Sequence, residues 1–343
     1  MPELSHTEHE ILSQPQVWQE TLDAFDAQDV RVGWGSAPTD VIVTGCGSTH
    51  YLALTAAELL RNVSGLRARA TPASELMAQA APRLGDPGNT VLLAFSRSGT
   101  TSETLAAVDE FKRLGGGRVI AVTTVAGSPL AAAADTVLVA DSATEQSVAQ
   151  TRSFTSMLLL AQAMAAVLGG HDLGPLDHLA DHASDILNRT RESMSALARQ
   201  QSLDSFYFLA SGPVFGVASE GMLKLKEMSL TTSEAYHTLE FRHGPMSMCD
   251  QRAAVLALVT PERLRVERAV VQDVAKLGAR TTTLGPGEDV ALPDGLPAWA
   301  RPVLYLLPLQ LLALERALAK GLNPDQPRHL TAVIHLDPLP ETA

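Results

Sequence analysis

Short β-branched runs alternate with amphipathic, helix-like stretches along most of this chain, and that alternation restricts the fold more than any single motif. Strands are expected at residues 41–44, 90–95, 118–123 and 136–140, and helices at 52–63 and 102–114, the latter closed by Gly115, Gly116 and Gly117. A long helical pattern covers 176–199. The alternation then resumes, with strands at 205–210, 253–259 and 281–284 and helices at 216–230, 262–277 and 309–320. A helix between successive strands makes them parallel and covers both faces of the sheet. The expected class is therefore α/β, with parallel sheets sandwiched by helices.

The segment VIVTGCGSTHYLALTAAELL is faintly repeated by YFLASGPVFGVASEGMLKLK: a strand, a glycine turn, then a small-residue helix. The repeat implies two lobes of one topology. Residues 1–34 form a helical arm, with Ile11, Leu12, Trp18 and Leu22 at helical spacing. Residues 35–168 form the first lobe, 169–200 a linking helix, 201–330 the second lobe and 331–343 a tail.

At 343 residues the chain is long enough for two cores of ordinary size. Its apolar runs at 157–168 and 303–314 fall short of the roughly 20 residues of a membrane span, so they read as core helices and no membrane is expected. A net charge of −12 argues against nucleic acid, which needs a basic surface. It also repels anionic ligands at long range, so any phosphate site must rely on local backbone dipoles and hydroxyls. Cys46 and Cys249 make neither a disulfide framework nor a metal-ligand spacing. The polar, acidic start MPELSHTEHEILSQP is no signal peptide, and a reduced cytoplasmic setting is expected.

SRSGTT at 96–101 follows a buried strand and opens a helix. Unpaired N–H groups at a helix N-terminus stabilise an anion, and Gly99 permits close backbone approach. Ser96, Ser98 and Thr101 add hydroxyls and Arg97 a positive charge. GCGST at 45–49 ends the neighbouring strand and offers Ser48 and Thr49. The plainer alternative is that both loops are ordinary helix caps, since Ser and Thr are favoured there. Two such loops in one lobe favour anion binding.

Lys224 and Glu227 share a helix face, and His243 precedes a Gly-Pro break. Such a set can move protons on a sugar, although a solvated Lys–Glu pair and a turn-capping histidine would look the same. His237, Glu240 and His243 recur every third residue. They do not form the H-E-x-x-H pattern, and Pro245 cuts any helix short, so no metal is expected.

Read in order, EHEILSQP, CGSTHYLAL, SRSGTTSETL, ATEQSVAQTRSFTSMLLL, LKLKEMS with SEAYHTLEFRHGP, and PLQLLAL with KGLNPDQPRHL resemble the sugar isomerase (SIS) superfamily. The likeness is to the isomerase half of glutamine–fructose-6-phosphate aminotransferases and spans nearly the whole chain. It implies two flavodoxin-like SIS lobes. It also implies that Thr49, Ser96, Ser98 and Thr101 bind phosphate, and that Val148 and Gln150 line the sugar site. By the same resemblance Glu227 shuttles a proton between C1 and C2, Lys224 assists at the sugar hydroxyls, and His243 opens the ring from across a dimer interface. No cofactor is implied. A homodimer with shared sites is expected, from the resemblance and from the apolar arm around Trp18.

Three departures shape the functional expectation. The chain begins Met-Pro, without the family's N-terminal nucleophilic cysteine. Ala332 stands where the family's tail lysine forms a Schiff base. Arg97 replaces a glutamine and Gln150 a serine. The leading expectation is a glucosamine-6-phosphate deaminase that releases ammonia and forms fructose 6-phosphate. A fructosamine-6-phosphate deglycase or an aldose–ketose isomerase is the alternative enzyme, and a non-catalytic sugar-phosphate sensor the alternative of another class.

Overall fold

A computed structural model describes residues 5–35, 38, 40–334 and 336. Residues 1–4 of the expected arm and most of the expected 331–343 tail lie outside the described residues. The chain divides into two compact units. The first lobe comprises Gln16–Glu145, Arg152–His178 and the tail from Thr331. The second comprises the N-terminal residues through Pro15, Gln146–Thr151 and Leu179–Leu330.

The first lobe holds most of α2 (Gln14–Asp23), then α3 (Ala27–Trp34), β1 (Asp40–Gly45), α4 (Ser48–Ser64), β2 (Ala68–Pro72) and α5 (Ala73–Gln79). β3 (Thr90–Phe95), α6 (Ser102–Arg113), β4 (Val119–Thr123), α7 (Pro129–Ala133), β5 (Thr136–Val139) and α8 (Arg152–Leu168) complete it. Its strands are all parallel, in the order β2-β1-β3-β4-β5. Every residue of β3 is buried, as a central strand covered on both faces requires, and its sequence TVLLAF is correspondingly apolar without alternation. Ile42, Leu92, Ala94, Val108, Phe111 and Val119 belong to the core on one face of this sheet.

Trp18 of the arm is fully buried, and its indole N–H donates to Thr155 Oγ1 of α8 at 2.9 Å. The expectation that this tryptophan marks an apolar face for a partner is therefore corrected: its ring is used up inside its own lobe. Burying the ring is more favourable than leaving it exposed on an arm, and Thr155 removes the cost of burying its N–H.

The second lobe holds α1 (His6–Leu12), α9 (Leu179–Ala198), β6 (Ser205–Ala210), α10 (Val214–Ser229) and β7 (Thr232–His237). β8 (Ala253–Leu258), α11 (Leu264–Lys276), β9 (Arg280–Gly285), β10 (Val290–Ala291) and α12 (Pro302–Ala319) follow. Its strands are also parallel, in the order β10-β9-β8-β6-β7. Numbered from its own first strand this is again 2-1-3-4-5, the flavodoxin-like order, so the two lobes share one topology.

Helix α12 begins seven residues before the expected 309, because it runs through Pro308. By length and composition it could cross a membrane, but 89% of its apolar window is buried among α9, α10 and the sheet. It is a core helix. Gly221 of α10 allows close packing here: a Cβ on it would lie 2.5 Å from Leu309 Cδ1. At its far end Arg316 donates to the carbonyls of Ala198, Gln200 and Leu203, and Lys320 to those of Ser229 and Leu230. These cations fill the open C-terminal carbonyls of α9 and α10.

Truncating Trp18 should be costly: Trp18→Ala is expected to lower stability by about 3–5 kcal/mol. Trp18→Phe, which keeps most of the ring packing and loses one hydrogen bond, should cost only about 1 kcal/mol. Urea unfolding of the two variants measures both.

Candidate active site

The polar side chains singled out from the sequence fall into two groups, one in each lobe. In the first lobe, β1 and β3 are hydrogen-bonded neighbours on either side of the point where the strand order reverses. Ligands of open α/β sheets bind beyond the carboxyl ends of strands at such a point. The two hydroxyl-rich loops stand there, one after each strand. The N-cap residue of α6 is Thr101 and that of α4 is Gly47, and neither makes a side-chain cap bond. The side chain of Thr101 therefore does not cap α6, whose first-turn amides face the end of the sheet, whereas in α4 Thr49 N donates to Cys46 O and His50 N to Gly47 O.

Ser96 is 2% exposed, and its Oγ accepts from Gly99 N at 3.1 Å and lies 3.3 Å from Thr101 Oγ1. Ser98 Oγ accepts from Thr100 N and Thr100 Oγ1. Thr49 Oγ1 accepts from Cys46 N and donates to Cys46 O, both at 2.9 Å, so it braces its own turn. Ser48 is buried at the first position of α4. Gly99 is required: its φ is +64°, and a Cβ would sit 2.1 Å from Ser128 Oγ.

Arg97 is no free cation. Its guanidinium pairs with the fully buried carboxylate of Glu145 at 3.3 Å and donates to the carbonyl of Ala332 at 2.9 Å. Its own carbonyl accepts from Thr123 Oγ1 and from the N–H and hydroxyl of Thr124. The tail position that carries alanine here is thus tied by its backbone to the serine loop.

In the second lobe, α10 places Glu220, Lys224 and Glu227 on one face. Lys224 Nζ lies 3.3 Å from Glu220 Oε1 and is hydrogen-bonded to Glu227 Oε2. The lysine side chain is 1% exposed, Glu220 fully buried and Glu227 18% exposed. This is not the solvated surface pair that the spacing alone would allow. Burial pulls the Lys224 pKa down, but the two carboxylates outweigh it and hold it above the usual lysine value. The group is therefore an ammonium between two acids, and Glu227 is the acid that a ligand can reach. Sequence reading missed Glu220, although a glutamate four residues before Lys224 was a readable signal.

His243 ends the short turn Glu240–Arg242, where its N–H donates to Glu240 O at 2.9 Å. Its side chain is exposed at the chain surface rather than buried with Lys224 and Glu227. His237 instead stacks on Phe215 at 3.7 Å between ring centroids, and burial lowers its pKa. Val148 and Gln150 lie in the short segment Gln146–Thr151 of this lobe. Val148 N donates to Asp325 O at 3.1 Å, and Gln150 Oε1 is buried without a hydrogen-bond partner among the described residues.

The second lobe has its own switch point between β6 and β8, and there it differs from the first. Its loop after β8 turns Thr260 N toward Glu267 of α11, which accepts at 2.8 Å. Glu267 is 2% exposed; burial pushes its pKa up, while bonds from Thr260 and Ser211 pull the other way.

The chain is thus an α/β protein of two doubly wound lobes, one with two hydroxyl-rich loops at its switch point and the other with a buried Glu–Lys–Glu cluster. The chain belongs to the SIS domain family, whose profile matches residues 37–167 and 199–285. Over 97% of its length it is 28% identical to an isomerizing glutamine–fructose-6-phosphate aminotransferase of Gluconobacter oxydans, and over 96% it is 29% identical to one of Legionella pneumophila. It spans 59% and 58% of those proteins, about three-fifths of their length. A solved glucosamine-6-phosphate deaminase of Thermotoga maritima is 30% identical, with a TM-score of 0.87 and coverage of 97% of this chain and 100% of that one. A tagatose-6-phosphate ketose/aldose isomerase of Escherichia coli shares the fold at 21% identity, TM-score 0.83, with 94% of each chain covered.

Two substitutions test the geometry. Gly99→Ala forces a side chain into the left-handed region and against Ser128, so inorganic phosphate or a sugar phosphate should bind at least about tenfold more weakly by calorimetry. Lys224→Met leaves two carboxylates without their cation and should cost about 3–5 kcal/mol at pH 8. Urea unfolding at pH 8 and at pH 5.5 measures the loss. In the wild type the Lys224 contribution is fully present below the unfolded lysine pKa, so it does not change over that range.

Proposed function

We propose that the chain is an aminosugar-phosphate deaminase that converts glucosamine 6-phosphate and water to fructose 6-phosphate and ammonia. The observation that carries this reading is the buried Glu220–Lys224–Glu227 cluster, which holds one partly exposed carboxylate beside a fixed ammonium. The full-length likeness to the Thermotoga maritima deaminase supports the choice of substrate.

In this reading the amides and hydroxyls of Ser96, Ser98 and Thr101, with Ser48 and Thr49, hold the phosphate. Binding energy at that remote group holds the open chain in a reactive pose. His243 assists ring opening, and its exposed position suits a homodimer in which it serves a shared site. The opened sugar has an aldehyde at C1 and an amine at C2. Glu227 removes the C2 proton, the electrons move into the C1–C2 bond and onto O1, and O1 takes a proton from the Lys224 ammonium. Return of a proton to C1 gives a C1 alcohol and a C2 iminium. Water adds to C2 and ammonia leaves. An aminosugar brings its own nitrogen and opens to an aldehyde, so alanine at 332 is compatible with turnover.

Ammonia release from glucosamine 6-phosphate, measured with a coupled assay, tests the reading. Glu227→Gln should lower kcat by about 10²–10⁴ while leaving KM within a few-fold. Aldose–ketose interconversion without ammonia would make the chain an isomerase instead, and tight binding with no turnover would make it a sensor. Unchanged turnover in Glu227→Gln would remove that residue from the base role.

A further inference from the structure

Glu10 of α1 is 2% exposed, and the mechanism above gives it no role. It accepts instead from the N–H of Gln146 at 2.6 Å, from the N–H of Ser147 at 3.2 Å and from the Ser147 hydroxyl. The same short segment is held at two further points within the second lobe. Val148 N donates to Asp325 O at 3.1 Å, and Gln310 Nε2 to Thr151 O at 3.1 Å. Asp325 is itself gripped by His6 N, Thr7 N and Thr7 Oγ1, and Gln310 by Gln14.

Burial along this segment alternates. Ser147, Ala149 and Thr151 are buried, while Val148 and Gln150 are half-exposed between them. Fixing the buried members fixes where the intervening side chains project. One of those, Gln150, carries a buried amide oxygen with no partner among the described residues. A buried acceptor of that kind is normally satisfied, and a sugar hydroxyl is a donor that would satisfy it.

We propose that Glu10 is a positioning residue that holds the segment Gln146–Thr151 so that Val148 and Gln150 are preset to receive the sugar hydroxyls. The proposal deepens the functional reading above and rests on it. Preorganisation of this kind lowers the ordering cost of binding and leaves the proton-transfer step largely unaltered.

The experiment compares wild type with Glu10→Ala and Glu10→Gln, using steady-state kinetics on glucosamine 6-phosphate and calorimetric binding of fructose 6-phosphate. Amide hydrogen exchange over residues 146–151 completes the set. Glu10→Ala should raise KM by about tenfold with kcat within about threefold, and should speed exchange in the segment. Glu10→Gln keeps an acceptor for the two amides and should recover most of the loss. Unchanged KM in folded Glu10→Ala, or a fall in kcat with KM unaltered, overturns the proposal. If Glu10→Ala does not fold, Ser147→Ala carries the test, and unaltered KM in it overturns the proposal. A wild type inactive on glucosamine 6-phosphate would sink the functional reading instead. Fructose 6-phosphate affinity then reads the clamp without turnover, and equal affinity in wild type and variant overturns it.

Discussion

An ammonium with 1% of its surface exposed cannot sit in a protein interior alone; removing it from water costs several kcal/mol even after relaxation. Lys224 tolerates this because α10 places one carboxylate a turn before it and another a turn after it, on the same face. The arrangement is reciprocal. The ammonium lets Glu220 remain buried and holds the Glu227 carboxylate beside it. The helix is in turn fixed by α12, whose Leu309 fits against Gly221. Core packing therefore sets the geometry on which the chemistry depends.

The two lobes show how one topology can be turned to two uses. In each, a loop after the third strand of the sheet meets the start of the next helix, α6 or α11. In the first lobe the cap position makes no side-chain bond, and the serine hydroxyls fold back on their own loop. In the second lobe Glu267 reaches back to Thr260 N. Arg97, beside the serine loop, is paired with the buried Glu145 rather than left free.

Central strands were legible in the sequence because burial on both faces leaves a continuous apolar run. Residues 90–95 and 205–210 were read with their full bounds. Three of the four edge strands were not. β2, reading ARATP, and β7, reading TSEAYH, carry little apolar signal because one side of each strand has no neighbour in the sheet, and β10 is only two residues long. Pro308 misled in the other direction, since the proline rule placed a helix start where packing instead carries α12 through. At the site, the serine loop and the Lys–Glu spacing were visible, whereas the burial that separates a catalytic pair from a solvated one depends on tertiary packing. Trp18 shows the same limit: its spacing revealed a helix, and only the fold revealed what that helix covers.

The central claim is that one carboxylate moves a proton between adjacent carbons of a ring-opened sugar. Carrying out the glucosamine 6-phosphate reaction in D₂O and examining the product by NMR tests it directly. The account predicts deuterium on one face only of C1 in fructose 6-phosphate, and none formed by Glu227→Gln. Label spread equally over both faces, or label that survives Glu227→Gln, would contradict it.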